Sequence, residues 1–147
     1  MLARRLPEST VLSAVADVCR LLGVEIERQN TGGRTNDRGQ YVPFGRPGNS
    51  DLTGMTGPAW GDLAGRKVDI ECKREGFEPR RCYGKARERW EKQLDRLRAT
   101  NANGGFGFWT DSPEHCFKVL NLLKAGWRVR IDDDEDSLLY WPEDDDA

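Results

Sequence analysis

A single histidine, His115, is the scarcest functional group in this chain of 147 residues. With one imidazole, a Cys/His zinc centre and a Ser-His-Asp triad are both poorly supported. Cysteine is scarce as well. Cys19, Cys72, Cys82 and Cys116 match no CxxC spacing and read as reduced thiols of a cytoplasmic protein. No apolar run approaches the ~20 residues that a bilayer requires. The segment MLARRLPEST has basic residues with no apolar stretch behind them, so neither a membrane span nor a signal peptide is expected. With those chemistries set aside, carboxylates, lysine and a metal ion remain.

Charge is unevenly divided. Nine acidic residues and no basic one fall between Asp132 and Ala147, although the whole chain carries a net charge of only −2. The remaining 131 residues hold 23 basic against 16 acidic side chains, a net of +7. A basic body suits a polyanionic partner. The acidic end either competes for that same surface or simply stays solvated.

Local patterns predict the elements. Pro7-Glu8-Ser9-Thr10 opens a helix whose apolar residues Val11, Ala14, Val15, Val18 and Leu22 recur at helical spacing, and Gly23 stops it. Val24 to Gln29 alternates Val/Ile with Glu/Arg, the pattern of a half-exposed strand. Asn30 to Gln40 reads as a loop, and Tyr41 to Phe44 as a short edge strand because Pro43 is excluded from a central one. Further strands are expected around Leu52, over Val68–Lys73 and over Phe106–Thr110, with a loop from Gly57 to Arg66. A helix over Tyr83–Thr100 places Ala86, Trp90, Leu94 and Leu97 on one stripe, and another over Pro113–Ala125 is capped by Ser112. Trp127–Ile131 and Leu138–Trp141 are expected to pair around the acidic turn Asp132–Asp136. The order predicts an α/β fold in which a mixed β-sheet is flanked by helices.

The strand Val68-Asp69-Ile70-Glu71-Cys72-Lys73 carries the chemistry. With a side-chain period of two, Val68, Ile70 and Cys72 enter the core while Asp69, Glu71 and Lys73 share the other face. Glu71 and Lys73 lie about 7 Å apart along the strand, at a rise of ~3.3 Å per residue. Asp51 starts another short strand, and if the two strands are adjacent, Asp51 and Glu71 bind one hard cation. Magnesium favours such oxygen ligands. A divalent metal beside a lysine is the usual equipment for hydrolysing a phosphodiester. By itself the D…ExK spacing is common, since any exposed strand with a Glu-Lys pair shows it.

The surrounding segments narrow the choice. Pro7-Glu8-Ser9, Arg28-Gln29-Asn30-Thr31-Gly32, Phe44-Gly45-Arg46-Pro47-Gly48-Asn49-Ser50-Asp51-Leu52, Ile70-Glu71-Cys72-Lys73 and Gly104-Gly105-Phe106-Gly107-Phe108 follow one another from Glu8 to about Asp111. In this order they resemble the VRR-NUC family, the virus-type replication-repair nucleases of the PD-(D/E)XK superfamily. The resemblance implies a restriction-endonuclease-like core at about residues 8–111 of a nuclease domain at 1–131. An acidic C-terminal segment, 132–147, with a hairpin strand and a disordered end, falls outside it. It implies a Mg²⁺- or Mn²⁺-dependent deoxyribonuclease with Asp51, Glu71 and the Cys72 backbone carbonyl as metal ligands and Lys73 at the attacking water. Glu8 would be an outer acidic residue completing the metal shell or anchoring Lys73. The family's helix glutamine falls on Gln93, the only glutamine of its helix, or on the position taken here by Arg87. The family also suggests a homodimer of phage type that cleaves branched, junction or flap DNA in the cytoplasm. The alternative is a DNA-binding accessory module without chemistry.

Eight basic residues against three acidic ones between Arg80 and Arg98 leave an excess of +5 over the long helix and the residues just before it. Lys85, Arg89 and Lys92 are the expected phosphate contacts there. The loop side adds Arg28, Asn30, Arg34 and Arg46, with Ser50 beside Asp51. Phosphate contacts carry no sequence information, so recognition by DNA shape is expected. Trp90 and Trp109 read as core, and Trp60, in a Gly/Pro loop, as the one candidate for stacking on a base. His115 reads as a surface residue.

Overall fold

The computed structural model describes residues 4–29, 33–43 and 50–143, with backbone only at 33–34 and 41–43. Helix α1 (Glu8–Leu21) buries Val11, Val15, Ala16 and Cys19. It runs into β1 (Val24–Arg28), whose Val24 and Ile26 point inward. The predicted loop after it contains a short strand, β2 (Gly33–Thr35), which pairs antiparallel with β3 (Tyr41–Pro43), the expected edge strand. Asn36 closes its turn by accepting from the backbone N–H groups of Arg38 and Gln40. Short-range asparagine bonding of this kind leaves no periodic apolar signal, which is why composition alone reads as loop.

The main sheet has the order β1-β4-β5-β6, formed by β4 (Leu52–Thr56), β5 (Lys67–Cys72) and β6 (Phe106–Thr110) with β1. Strand β4 is antiparallel to both its neighbours, whereas β5 and β6 run parallel. The β5–β6 crossover is helix α2 (Gly84–Ala102), as a parallel connection requires. Helix α3 (Pro113–Lys124) follows β6, capped by Ser112 Oγ accepting from the His115 N–H at 3.1 Å. Strands β7 (Arg128–Ile131) and β8 (Ser137–Tyr140) form the closing hairpin, so the expected boundary between 131 and 132 lies inside one unit.

Two layers of helix cover the sheet. Helices α1 and α3 pack together on one face, over a core of Val11, Val15, Cys19, Ile70, Cys72, Phe106 and Phe108. Helix α2 covers the opposite face of β5 and β6, where Trp90, Leu94, Leu97, Trp109 and Ile131 form a second cluster. The predicted stripe on α2 is shifted by one turn, because Ala86 is exposed while Thr100 is buried. Gly107 permits the close approach of α2: a Cβ there would lie 2.6 Å from the Leu97 carbonyl oxygen. The predicted alternation of β5 holds, with Val68, Ile70 and Cys72 facing α1 and α3. Its other face is covered by α2, so Asp69 and Glu71 are only 2% and 1% exposed. That burial rules out an ordinary solvated Glu-Lys pair on an open strand.

Trp60 corrects another expectation. It sits in a 3-10 helix (Pro58–Leu63), is 4% exposed, donates to the Leu22 carbonyl at 2.9 Å and packs on Phe106. A ring so enclosed is a core residue and offers no face to a base. His115 is also less exposed than expected: it is half-buried, its ring bonded to Thr110 Oγ1 at 2.8 Å, and burial lowers its pKa. All four cysteines are free thiols, and three of them are buried. Among the described residues no helix is long and apolar enough to cross a membrane.

Candidate active site

The antiparallel register of β4 on β5 pairs Leu52 with Ile70, which sets Asp51 opposite Glu71 at the end of the two strands. The Asp51 N–H donates to Glu71 Oε2 at 3.3 Å, and Asp51 Oδ2 accepts from the Cys72 N–H at 2.9 Å. Two carboxylates from separate strands therefore meet where the sheet frays into loop. Cys72 contributes its backbone there while its thiol points into the core, where burial pushes its pKa upward.

Helix α2 closes the site from the other side. Gln93 Nε2 donates to Glu71 Oε1 at 2.7 Å, and Gln93 Oε1 accepts from Lys73 Nζ at 3.0 Å. One amide thus fixes its own orientation by serving as donor to the carboxylate and acceptor from the ammonium. Lys73 Nζ also lies 3.7 Å from Glu71 Oε1. The two candidates for the helix glutamine separate cleanly here. Gln93 points into the site, while Arg87 turns away to Glu135 and Glu91.

Lys73 is held on its other flank by the ring of Trp90, expected in the core, and by that of Phe77, which the sequence did not single out. Its Nζ is 5.0 Å from the Trp90 ring centroid and 5.2 Å from that of Phe77. Such ammonium–ring contacts stabilise by about 0.5–2 kcal/mol according to how far they are desolvated. Phe77, Trp90 and Trp109 meet edge to face at 5.1–5.7 Å between centroids. The signal for this lay in spacing: Trp90 and Gln93 are i, i+3 neighbours on α2 and share a face.

Glu135, in the turn between β7 and β8, was read only as part of an acidic stretch. In the structure its carboxylate accepts from the Trp90 indole N–H at 2.7 Å and from Arg87, and its carbonyl accepts from the Trp109 indole at 2.7 Å. The acidic turn is therefore docked on α2 and β6. Asp134 adds an exposed pair with Arg80 at 3.5 Å.

Electrostatics mark the carboxylate pair. Glu71 is pushed up to about 9, first by burial and then by the charge of Asp51, with Lys73 opposing. Glu8 at the start of α1 lies within electrostatic reach of Lys73 and Asp51, and partial burial of its carboxyl raises its pKa. No group of three or more His, Cys, Asp or Glu side chains that could hold a metal is found among the described residues. The oxygen donors brought together here are thus the carboxylates of Asp51 and Glu71, with Glu8 outside them. These hard oxygens fit magnesium or manganese, since a divalent charge is what the crowded Asp51–Glu71 pair lacks. Ser50 Oγ, 3% exposed beside Asp51, has no hydrogen-bond partner among the described residues.

The remaining buried carboxylate, Asp69, is structural. It accepts from Thr53 Oγ1 at 2.7 Å and from Thr100 Oγ1, with Lys67 Nζ at 3.5 Å. Of the expected phosphate contacts, Arg28, Lys85, Arg89 and Lys92 are exposed. Asn30, Arg46 and the Arg34 side chain lie outside the described residues. Within α2, Asp95 and Arg98 pair at 3.8 Å, whereas Glu91 takes Arg87 at 3.1 Å and leaves Lys85 to solvent. Comparison of the chain with family models, curated proteins and solved structures finds no match to any of them.

Proposed function

We propose that this chain is a divalent-metal-dependent DNA endonuclease with a PD-(D/E)XK-type core, of the kind its motifs resemble in the VRR-NUC family. One observation carries the reading. Asp51, Glu71, Lys73 and Gln93, from two strands and a helix, converge in a hydrogen-bonded set at one end of the sheet. A purely structural role accounts poorly for a carboxylate as buried as Glu71 facing a second carboxylate, because the arrangement opposes folding at neutral pH.

In this reading Asp51, Glu71 and the Cys72 carbonyl hold the cation, with Glu8 as the outer acid. The cation when bound polarises the phosphoryl oxygen and lowers the pKa of water. Lys73 presents its ammonium to the developing negative charge and orients the attacking water. Gln93 keeps the Lys73 ammonium and the Glu71 carboxylate in fixed relation, which limits the reorganisation the reaction requires. Exposed Lys85, Arg89 and Lys92 on α2, with Arg28 at the end of β1, form a basic surface for the phosphate backbone. A surface of this kind recognises DNA by shape, and we read the substrate as branched or flapped DNA and the active species as a homodimer.

The test is incubation with linear, nicked, flapped and four-way-junction DNA in Mg²⁺, Mn²⁺ or EDTA. Metal-dependent cleavage that vanishes in Asp51→Ala and Lys73→Ala is expected. Cleavage that persists in either variant, or in EDTA, refutes the mechanism. Binding without cleavage by the native chain indicates a DNA-binding module instead.

A further inference from the structure

We propose that Glu135, in the turn of the C-terminal hairpin, is a positioning residue for Lys73 and acts on it through the Trp90 indole. The proposal rests on the reading of Lys73 as a working group of the site.

Glu135 is the one described non-glycine residue with a positive φ, +67°. That left-handed conformation costs an ordinary side chain on the order of 1 kcal/mol, so other contacts must hold it. The contacts are specific. Trp90 and Trp109 each have one polar hydrogen, and both donate it to Glu135, to the carboxylate and the carbonyl respectively, at 2.7 Å. Arg87 binds the second carboxylate oxygen, and the Glu135 side chain is only 16% exposed. Ser137, two residues on, bonds both the N–H and the carbonyl of Trp109, at 3.1 and 3.2 Å. The turn is therefore clamped to β6 and α2 together.

Fixing the indole N–H fixes the plane of the ring. The Trp90 ring stands at 85° to Trp109 and 66° to Phe77, an edge-to-face arrangement that a tilt of the indole would break. Lys73 Nζ rests over the Trp90 and Phe77 rings, and on its open side meets Gln93 Oε1 at 3.0 Å and Glu71 Oε1 at 3.7 Å. A Trp90 ring released from Glu135 no longer walls that flank, and the ammonium gains positions away from Gln93. The hairpin thus reaches the site through the Trp90 ring without touching it.

The test compares Glu135→Ala, Glu135→Gln and Glu135→Asp with the native chain. The first readout needs no activity: the Lys73 ε-methylene signals in a ¹H–¹³C spectrum, which the flanking rings displace upfield. Glu135→Ala is expected to lose most of that displacement, and Glu135→Gln, whose amide oxygen still accepts from Trp90, to keep it. The second readout is Mg²⁺-dependent DNA cleavage. There, kcat falls roughly ten- to a hundredfold in Glu135→Ala with KM within about twofold, and Glu135→Gln restores it. An unchanged Lys73 signal in folded Glu135→Ala overturns the proposal. If that variant does not fold, Glu135→Asp decides, because it keeps the charge and every ring while drawing the carboxylate back from the Trp90 indole N–H by one methylene. A native-like Lys73 signal there overturns the proposal, and a lost displacement supports it. If the native chain cuts no DNA, the nuclease reading fails on that result alone, while the spectra still decide whether Glu135 places Lys73.

Discussion

Glu71→Gln should make the metal-free protein more stable at neutral pH. The Glu71 carboxyl is raised from an ordinary 4.5 to about 9, by burial first and the Asp51 charge second. A raised acid binds its proton more tightly in the folded state. Its stabilising contribution is therefore complete below pH 4.5 and is lost as pH climbs towards 9. At 1.36 kcal/mol per unit, the penalty at pH 7 is on the order of 3 kcal/mol. Glutamine resembles the protonated acid in shape and charge and has nothing to titrate. The difference in unfolding free energy, variant minus native, should thus grow by roughly 1.4 kcal/mol per pH unit between pH 5.5 and 8 in EDTA. Urea unfolding at three pH values measures it. A difference independent of pH, or a glutamine variant less stable throughout, would refute the argument. Adding Mg²⁺ should stabilise the native chain far more than the variant, because only a folded site with its carboxylate binds the ion.

Gln93→Ala, which removes the link between Glu71 and Lys73, should lower kcat roughly ten- to a hundredfold in steady-state DNA cleavage, yet keep the Mg²⁺-induced rise in Tm. Trp60→Ala should destabilise the fold by about 3–5 kcal/mol in urea titration. The DNA affinity of its folded fraction should not change, since the ring is only 4% exposed. Replacing Arg89 or Lys92 by alanine should weaken binding to every DNA alike and reduce the slope of log K against log salt by about 1 each. Fluorescence anisotropy over a salt series reads this out, and a loss specific to one sequence would contradict a phosphate contact.

Periodicity determined a good deal of this protein by itself. The 3.6-residue recurrence in α1, the two-residue alternation of β5 and the Ser112 cap follow from local stereochemistry, and each stands in the structure near its expected bounds. The facing direction of Glu71 and Lys73 was legible for the same reason. The pairing of Asp51 with Glu71 was legible only as a condition, because strand adjacency is a long-range fact. Tertiary structure decided the rest. Burial of the Glu71 face required α2 to cross over it, and no alternating strand announces whether its polar side will be covered. Gln93 and Arg87 differ in role only because α2 has one rotation about its axis, fixed by Trp90, Leu94 and Leu97 entering the core. Trp60 and Glu135 carry the same lesson in opposite directions. A tryptophan in a glycine-rich loop became core, and a glutamate in an acidic run became the anchor of two indoles, because each meets partners at least 26 residues away in sequence.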